Sequence, residues 1–236
     1  MQKIIRKLVR KLNIVTAFAM ALVLTITMGA GAYVLASGTS EFSQTINTGS
    51  LATDIVDTGY SSVGSPAVTM NAVTFSFAYQ TATGTFGTSA EKIYVKNPDA
   101  ADNGWTLTVA PANTTDCWDS AGTDFDFNDD GANATDGAAG TNDADALGGQ
   151  MTVDPSAATL AKGQCSACTI TNVSRGSSTA YDEGTTNSVT LLTASAGSDD
   201  IGDWTLEAVS ISQTIPAEQP AASDYTLSMV LTVAAS

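Results

Sequence analysis

Asp124-Phe-Asp126-Phe-Asn128-Asp-Asp130-Gly131 sets oxygen-bearing side chains at alternate positions and closes on a glycine. Read from Asp126, the spacing matches the opening of an EF-hand loop. In such a loop a hard Ca²⁺ ion gathers about six to eight oxygens while the glycine permits the bend. The twelfth loop position is Gly137, where a bidentate glutamate would complete the set, so the remaining oxygens must come from elsewhere. The ligands expected on this reading are Asp124, Asp126, Asn128, Asp130 and Asp136, with Asp143 and Asp145 as further candidates. Ca²⁺ is the one cofactor the sequence points to. The plain alternative is a solvated acidic loop whose charges keep the surface soluble.

Three cysteines form the second chemical feature. Cys165-Ser-Ala-Cys168 has CxxC spacing and Cys117 lies upstream. Zinc would need four ligands of a kind the chain does not supply in thiols, and no thioredoxin-like strand–helix–strand pattern surrounds the pair. An exported chain favours a disulfide. The expectation is that Cys117 pairs with Cys165 or Cys168. Closing a loop of ~50 residues this way would stabilise the fold by about 4 kcal/mol in the chain-entropy picture.

A third feature is a repeated triplet. Trp105-Thr106-Leu107 and Trp204-Thr205-Leu206 stand about a hundred residues apart. Residues i and i+2 share one face of a strand, so each tryptophan is expected beside its leucine, covering the core. Stacking on sugars is the functional alternative for an exposed ring.

The chain has no histidine. That excludes the Ser-His-Asp triad, the Cys-His dyad and every histidine-ligated zinc site. A paired-carboxylate hydrolase would survive this exclusion. No such pair stands out among 24 acidic residues, so an enzyme is not expected.

The elements that position these groups begin after an unusual leader. Lys3, Arg6, Lys7, Arg10 and Lys11 precede an uncharged, mostly apolar run over residues 14–36, and no acid occurs before Glu41. Basic n-region, apolar h-region and Val34-Leu35-Ala36 before Ser37 make residues 1–36 a signal peptide. Retention as a membrane anchor is the other reading, because residues 14–34 are about long enough to span a bilayer. Either way the remainder is expected outside the cell, at the bacterial surface.

Residues 37–236 keep four of the nine basic residues and all 24 acids, a net charge of −20. Such a surface repels nucleic acid and anionic lipid. Membrane contact is therefore expected only through the N-terminal segment. Ten aspartates and no basic residue or glutamate fall within residues 116–154, a stretch read as an acidic loop inserted in a single domain.

Strand patterns fill the rest. Residues 43–56, 68–79, 92–96, 105–109, 150–153, 169–173, 188–192, 204–211 and 225–233 carry β-branched or alternating runs. Residues 68–79 put Val73, Phe75, Phe77 and Tyr79 on one face, and residues 92–96 and 105–109 are expected as a hairpin across a long loop. About nine strands in one domain predict an all-β, two-sheet β-sandwich, jelly-roll or Ig-like, behind the signal or anchor helix.

Lys92-Ile-Tyr-Val-Lys-Asn97, Gly104-Trp105-Thr-Leu107-Thr-Val109, Ile211-Ser-Gln-Thr-Ile-Pro216 and Tyr225-Thr-Leu-Ser-Met-Val-Leu-Thr-Val233 behind an export signal resemble the WxL domain of bacterial cell-surface proteins. The resemblance spans roughly residues 40–236. It departs from the family in that Trp204 lies one strand before the end and Leu231-Thr-Val233 stands where the second Trp-x-Leu belongs. It implies a secreted, non-enzymatic β-sandwich attached non-covalently to the cell wall, through peptidoglycan or another wall glycan, for display or adhesion. The start, Ser40-Glu41-Phe42-Ser43 and Thr48-Gly49-Ser-Leu51, is also similar to TasA and camelysin-like proteins, subunits of extracellular biofilm fibres. On that resemblance residues 41–56 would be a donor strand filling a groove in another copy of the chain.

Overall fold

The structure is a computed structural model that describes residues 2–30, 43–45, 47, 49–98, 103–112, 117–120, 124–129, 149–196 and 201–236. The chain divides into two units, residues 1–46 and 47–236. The first holds helix α1, Gln2–Ala30. Its side chains Leu8, Leu12, Val15, Phe18 and Leu22 are exposed. Among the described residues no helix is long and apolar enough to cross a membrane, and the apolar run continues past them.

The second unit is mostly β. Among the described residues it contains twelve strands: β1 Ala52–Val56, β2 Gln80–Phe86, β3 Lys92–Asn97, β4 Trp105–Pro111, β5 Met151–Asp154, β6 Thr159–Lys162, β7 Val173–Arg175, β8 Thr179–Ala180, β9 Val189–Ala194, β10 Gly202–Glu207, β11 Val209–Ile215 and β12 Met229–Ala235. They form three antiparallel four-stranded sheets, ordered β1-β3-β10-β6, β2-β11-β5-β8 and β12-β4-β9-β7. The first two are joined where β10 runs into β11. β10 passes into β11 across Ala208, which adopts φ 63°, and Ala208 N donates to Gly87 O, 2.7 Å away, between β2 and β3. A left-handed residue in mid-run turns the strand direction and moves it from one sheet to the next. The result is a sandwich-like fold around one core.

Alternation fills that core. On β4, Trp105, Leu107 and Val109 are buried and their neighbours are not. β9 contributes adjacent residues, Leu191 and Leu192, because its register against β4 shifts between Leu107 and Thr108. A bulge of this kind turns two successive side chains inward. Tyr181 is fully buried beside Phe127, with ring centroids 5.3 Å apart, and its hydroxyl donates to Val109 O at 2.8 Å. Burial pushes that phenol well above its ordinary range.

Several sequence expectations change. Among the described residues of 43–56, the strand covers Ala52–Val56. The run at 204–211 splits at Ala208, and the strand expected at 169–173 begins at Val173. β3 and β4 are not a hairpin, since they belong to different sheets. Residues 68–79 form no strand. Met70 makes one bridge to Gly84, and Asn71 N donates to Thr83 O. The Asn71 side-chain oxygen then accepts from Thr83 N, taking a position that the next ladder bond would occupy. A side-chain acceptor competing with the backbone ends pairing there.

Candidate functional site

The two Trp-Thr-Leu triplets meet inside. Trp105, Leu107, Trp204 and Leu206 are all fully buried, and the Trp105 and Trp204 rings lie 5.3 Å apart at 44°. Trp204 Nε1 donates to Thr169 O at 2.8 Å. Neither ring can stack on a sugar from this position, so their work is to join sheet β12-β4-β9-β7 to sheet β1-β3-β10-β6.

The acidic segment is less uniform than its composition implies. Trp118 and Phe125 exchange backbone hydrogen bonds, Phe125 and Phe127 are buried, and Asn128 bridges Gln150. The two phenylalanines carry their polar neighbours inward, so Asp126, Asn128 and Asp129 are buried as well. Asp124 is half-buried and accepts from Ser120 N at 2.9 Å. Asp130 and Asp136 lie outside the described residues, as do Asp143 and Asp145. Among the described residues, three carboxylate or thiol ligand atoms converge in one place, and it is not this segment.

That place is built from the cysteines. Cys165 and Cys168 form the disulfide, with Cα atoms 5.3 Å apart, while Cys117 is buried elsewhere. The expected pairing of Cys117 with either is therefore corrected. The physical reason is local: the backbone around Cys165 is fastened to Asp203, which brings the CxxC cysteines within bonding reach of each other and leaves Cys117 in the core. Spacing alone could have suggested that bond, but nothing in the sequence showed Asp203 holding the loop.

A third place lies on the open side of the sandwich. A groove of about 500 Å³ runs between the sheets, lined by Ile55, Met70, Phe86, Ile211, Leu227 and Leu231 among others. A second, of about 570 Å³, continues past Met70 toward Phe75, Phe125, Ile215 and Tyr225. Val73 and Phe75 form part of its wall, and residues 73–79 run outside every ladder with Val73, Phe75, Phe77 and Tyr79 exposed by 38%, 49%, 79% and 45%. Phe75 and Phe77 touch edge to face at 5.2 Å. Contiguous exposed apolar surface of this kind is what a partner can cover. The sequence showed the stripe, but its alternation was read as a strand.

The chain matches no protein-family model, no curated protein and no solved structure.

Proposed function

We propose that this is an exported, non-enzymatic surface protein, a jelly-roll-like or Ig-like β-sandwich that assembles with copies of itself. The observation that carries the reading is the pairing of an open apolar groove with an exposed, strandless segment of alternating apolar residues on the same molecule. The occupant of the groove is residues 73–79 of a second copy. An extended peptide laid along exposed sheet edges gains backbone hydrogen bonds and places alternate side chains in pockets. Two phenyl rings bury about 150–250 Å² each, which supplies the drive. The donor segment is thus moved from residues 41–56, because residues 52–56 already pair with β3 in their own domain.

Charge sets the conditions. Each copy carries −20 over residues 37–236, so close approach is opposed until salt screens it. Assembly of the full chain should rise with protein concentration and with ionic strength, read by sedimentation velocity and negative-stain microscopy. Phe77→Asp should abolish it without lowering the melting temperature, since that side chain is 79% exposed. Undiminished assembly by this variant would overturn the reading. A chain that stays monomeric at all concentrations and co-sediments with peptidoglycan would replace it with the wall attachment that the WxL resemblance implies.

Ca²⁺ is the ligand we assign to the acidic segment, held by Asp124, Asp126, Asn128 and residues beyond them. Binding to the folded state alone stabilises by about 2.7 kcal/mol at a hundredfold excess over Kd. The melting temperature should therefore rise with Ca²⁺ and return with EDTA. Superimposable curves would remove calcium from the proposal.

A further inference from the structure

The loop after β6 gathers two sulfurs and a buried carboxylate at one point. Asp203, on β10, is buried, and its carboxylate accepts three hydrogen bonds. Tyr94 OH and Gln164 N donate to Oδ2 at 2.8 and 2.7 Å, and Cys165 N donates to Oδ1 at 2.8 Å. Gly163 N donates to the Asp203 carbonyl at 2.8 Å, and a Cβ on Gly163 would lie 2.3 Å from Oδ2, so only glycine lets the loop come this close. On the far side Lys162 Nζ donates to Ser166 O at 2.7 Å, and Trp204 Nε1 holds Thr169 O at 2.8 Å. The loop is thus anchored at both ends independently of its disulfide. The sulfurs of Cys165 and Cys168 and a carboxylate oxygen of Asp203 lie within 4.8 Å of one another. Both cysteines are partly accessible to solvent.

We propose that reduction of the Cys165–Cys168 disulfide converts this loop into a binding site for a thiophilic divalent cation of the zinc class, ligated by Cys165, Cys168 and Asp203. In the oxidised form each sulfur is bound to the other and offers no thiolate, so the site is closed. A dithiol reductant opens it: two electrons and two protons pass to the protein, the S–S bond breaks into two thiols, and the reductant closes to its own disulfide. Metal binding then forms two sulfur–metal bonds and releases the two thiol protons. Zinc accepts sulfur and carboxylate oxygen together at about 2.0–2.3 Å, which places tetrahedral ligand atoms about 3.8 Å apart. In the disulfide the two sulfurs are bonded to each other and lie within 4.8 Å of the Asp203 oxygen. On reduction they separate to that spacing by side-chain rotation, while the hydrogen bonds to Asp203 hold the loop backbone in place. A fourth position is left for water or an outside ligand. The hydrogen bonds from Tyr94, Gln164 and Cys165 orient the carboxylate as outer partners do in metal sites.

The test uses the full chain, reduced with dithiothreitol, freed of reductant and titrated anaerobically with cadmium. One cadmium per chain should bind with the ultraviolet charge-transfer band of two thiolates, zinc should displace it, and the oxidised chain should give no band. Cys117→Ala should keep the band, whereas Cys165→Ser with Cys168→Ser should lose it. Asp203→Asn should weaken binding by about tenfold or more. Because that change also disturbs acceptors for the loop's backbone, a second reading comes from the unaltered chain: the infrared difference spectrum on adding cadmium must include a carboxylate. A reduced chain that gives no band, or a band that persists without Cys165 and Cys168, overturns the site. A band with no carboxylate change and full affinity in Asp203→Asn overturns the three-ligand set.

Discussion

Replacing Trp204 with alanine should lower the unfolding free energy of the β unit by about 3–5 kcal/mol, the range for emptying a large buried aromatic site. Three losses combine. The side chain is fully buried, so its apolar surface forfeits the transfer term and leaves a cavity. Its ring no longer meets Trp105 at 5.3 Å, and Thr169 O loses the indole donor at 2.8 Å. A domain of this size holds about 5–15 kcal/mol in all, so the variant should unfold at much lower urea, read by near-ultraviolet circular dichroism. Trp105→Ala should behave alike. Because the two rings touch, the double variant should cost less than the sum of the singles. Additive losses, or a single loss below ~1 kcal/mol, would mean the rings do not close a shared core layer.

Much of this layer was legible in the sequence because a strand imposes a period of two. Trp105, Leu107 and Val109 alternate with threonines, and the same rule identified Trp204 with Leu206. The same rule misplaced residues 68–79, where Val73, Phe75, Phe77 and Tyr79 alternate as cleanly but stand exposed. What stops that run from pairing is the Asn71 side chain, whose oxygen accepts from both the backbone N and the hydroxyl of Thr83 and leaves no periodic trace. The opposite error befell β2. Its Gln80-Thr-Ala-Thr-Gly-Thr-Phe86 lacks apolar weight, yet it pairs with β11 along its whole length. The change of sheet between β10 and β11 turns on Ala208 at φ 63°, a conformation usually flagged by glycine or asparagine and here carried by a residue that gives no warning. In the acidic segment, aspartate content argued for a solvated loop, while Phe125 and Phe127 draw Asp126 and Asp129 into the interior. The disulfide followed the same logic. Compartment chemistry predicted that one would form and the CxxC spacing allowed a local bond, but nothing in the sequence showed Asp203 fastening the loop that makes it.

Gly104→Ala should cost about 3 kcal/mol, and the comparison with Gly184→Ala should reveal why. Both glycines have positive φ, 74° and 69°, so alanine pays the same left-handed penalty of about 1 kcal/mol or slightly more at each. They differ in what a Cβ would meet. At Gly184 nothing lies within 4 Å, whereas at Gly104 the new atom would sit 2.5 Å from Ala194 O and 2.7 Å from Ala196 N. Those contacts are backbone, at the end of β9, and cannot swing aside as a flexible side chain would. Overpacking of this kind adds about 1–3 kcal/mol. Gly104 O also accepts from Ser236 N at 3.2 Å, just past the end of β12, so the residue is where three strands of one sheet are brought into register. Shifting β4 to relieve the clash would move Trp105 against Trp204, and the strain therefore reaches the core. Urea midpoints of the two variants separate the effects: Gly184→Ala should fall slightly and Gly104→Ala several times further. Equal shifts would show that the close approach at Gly104 relaxes freely and that only the backbone conformation matters there.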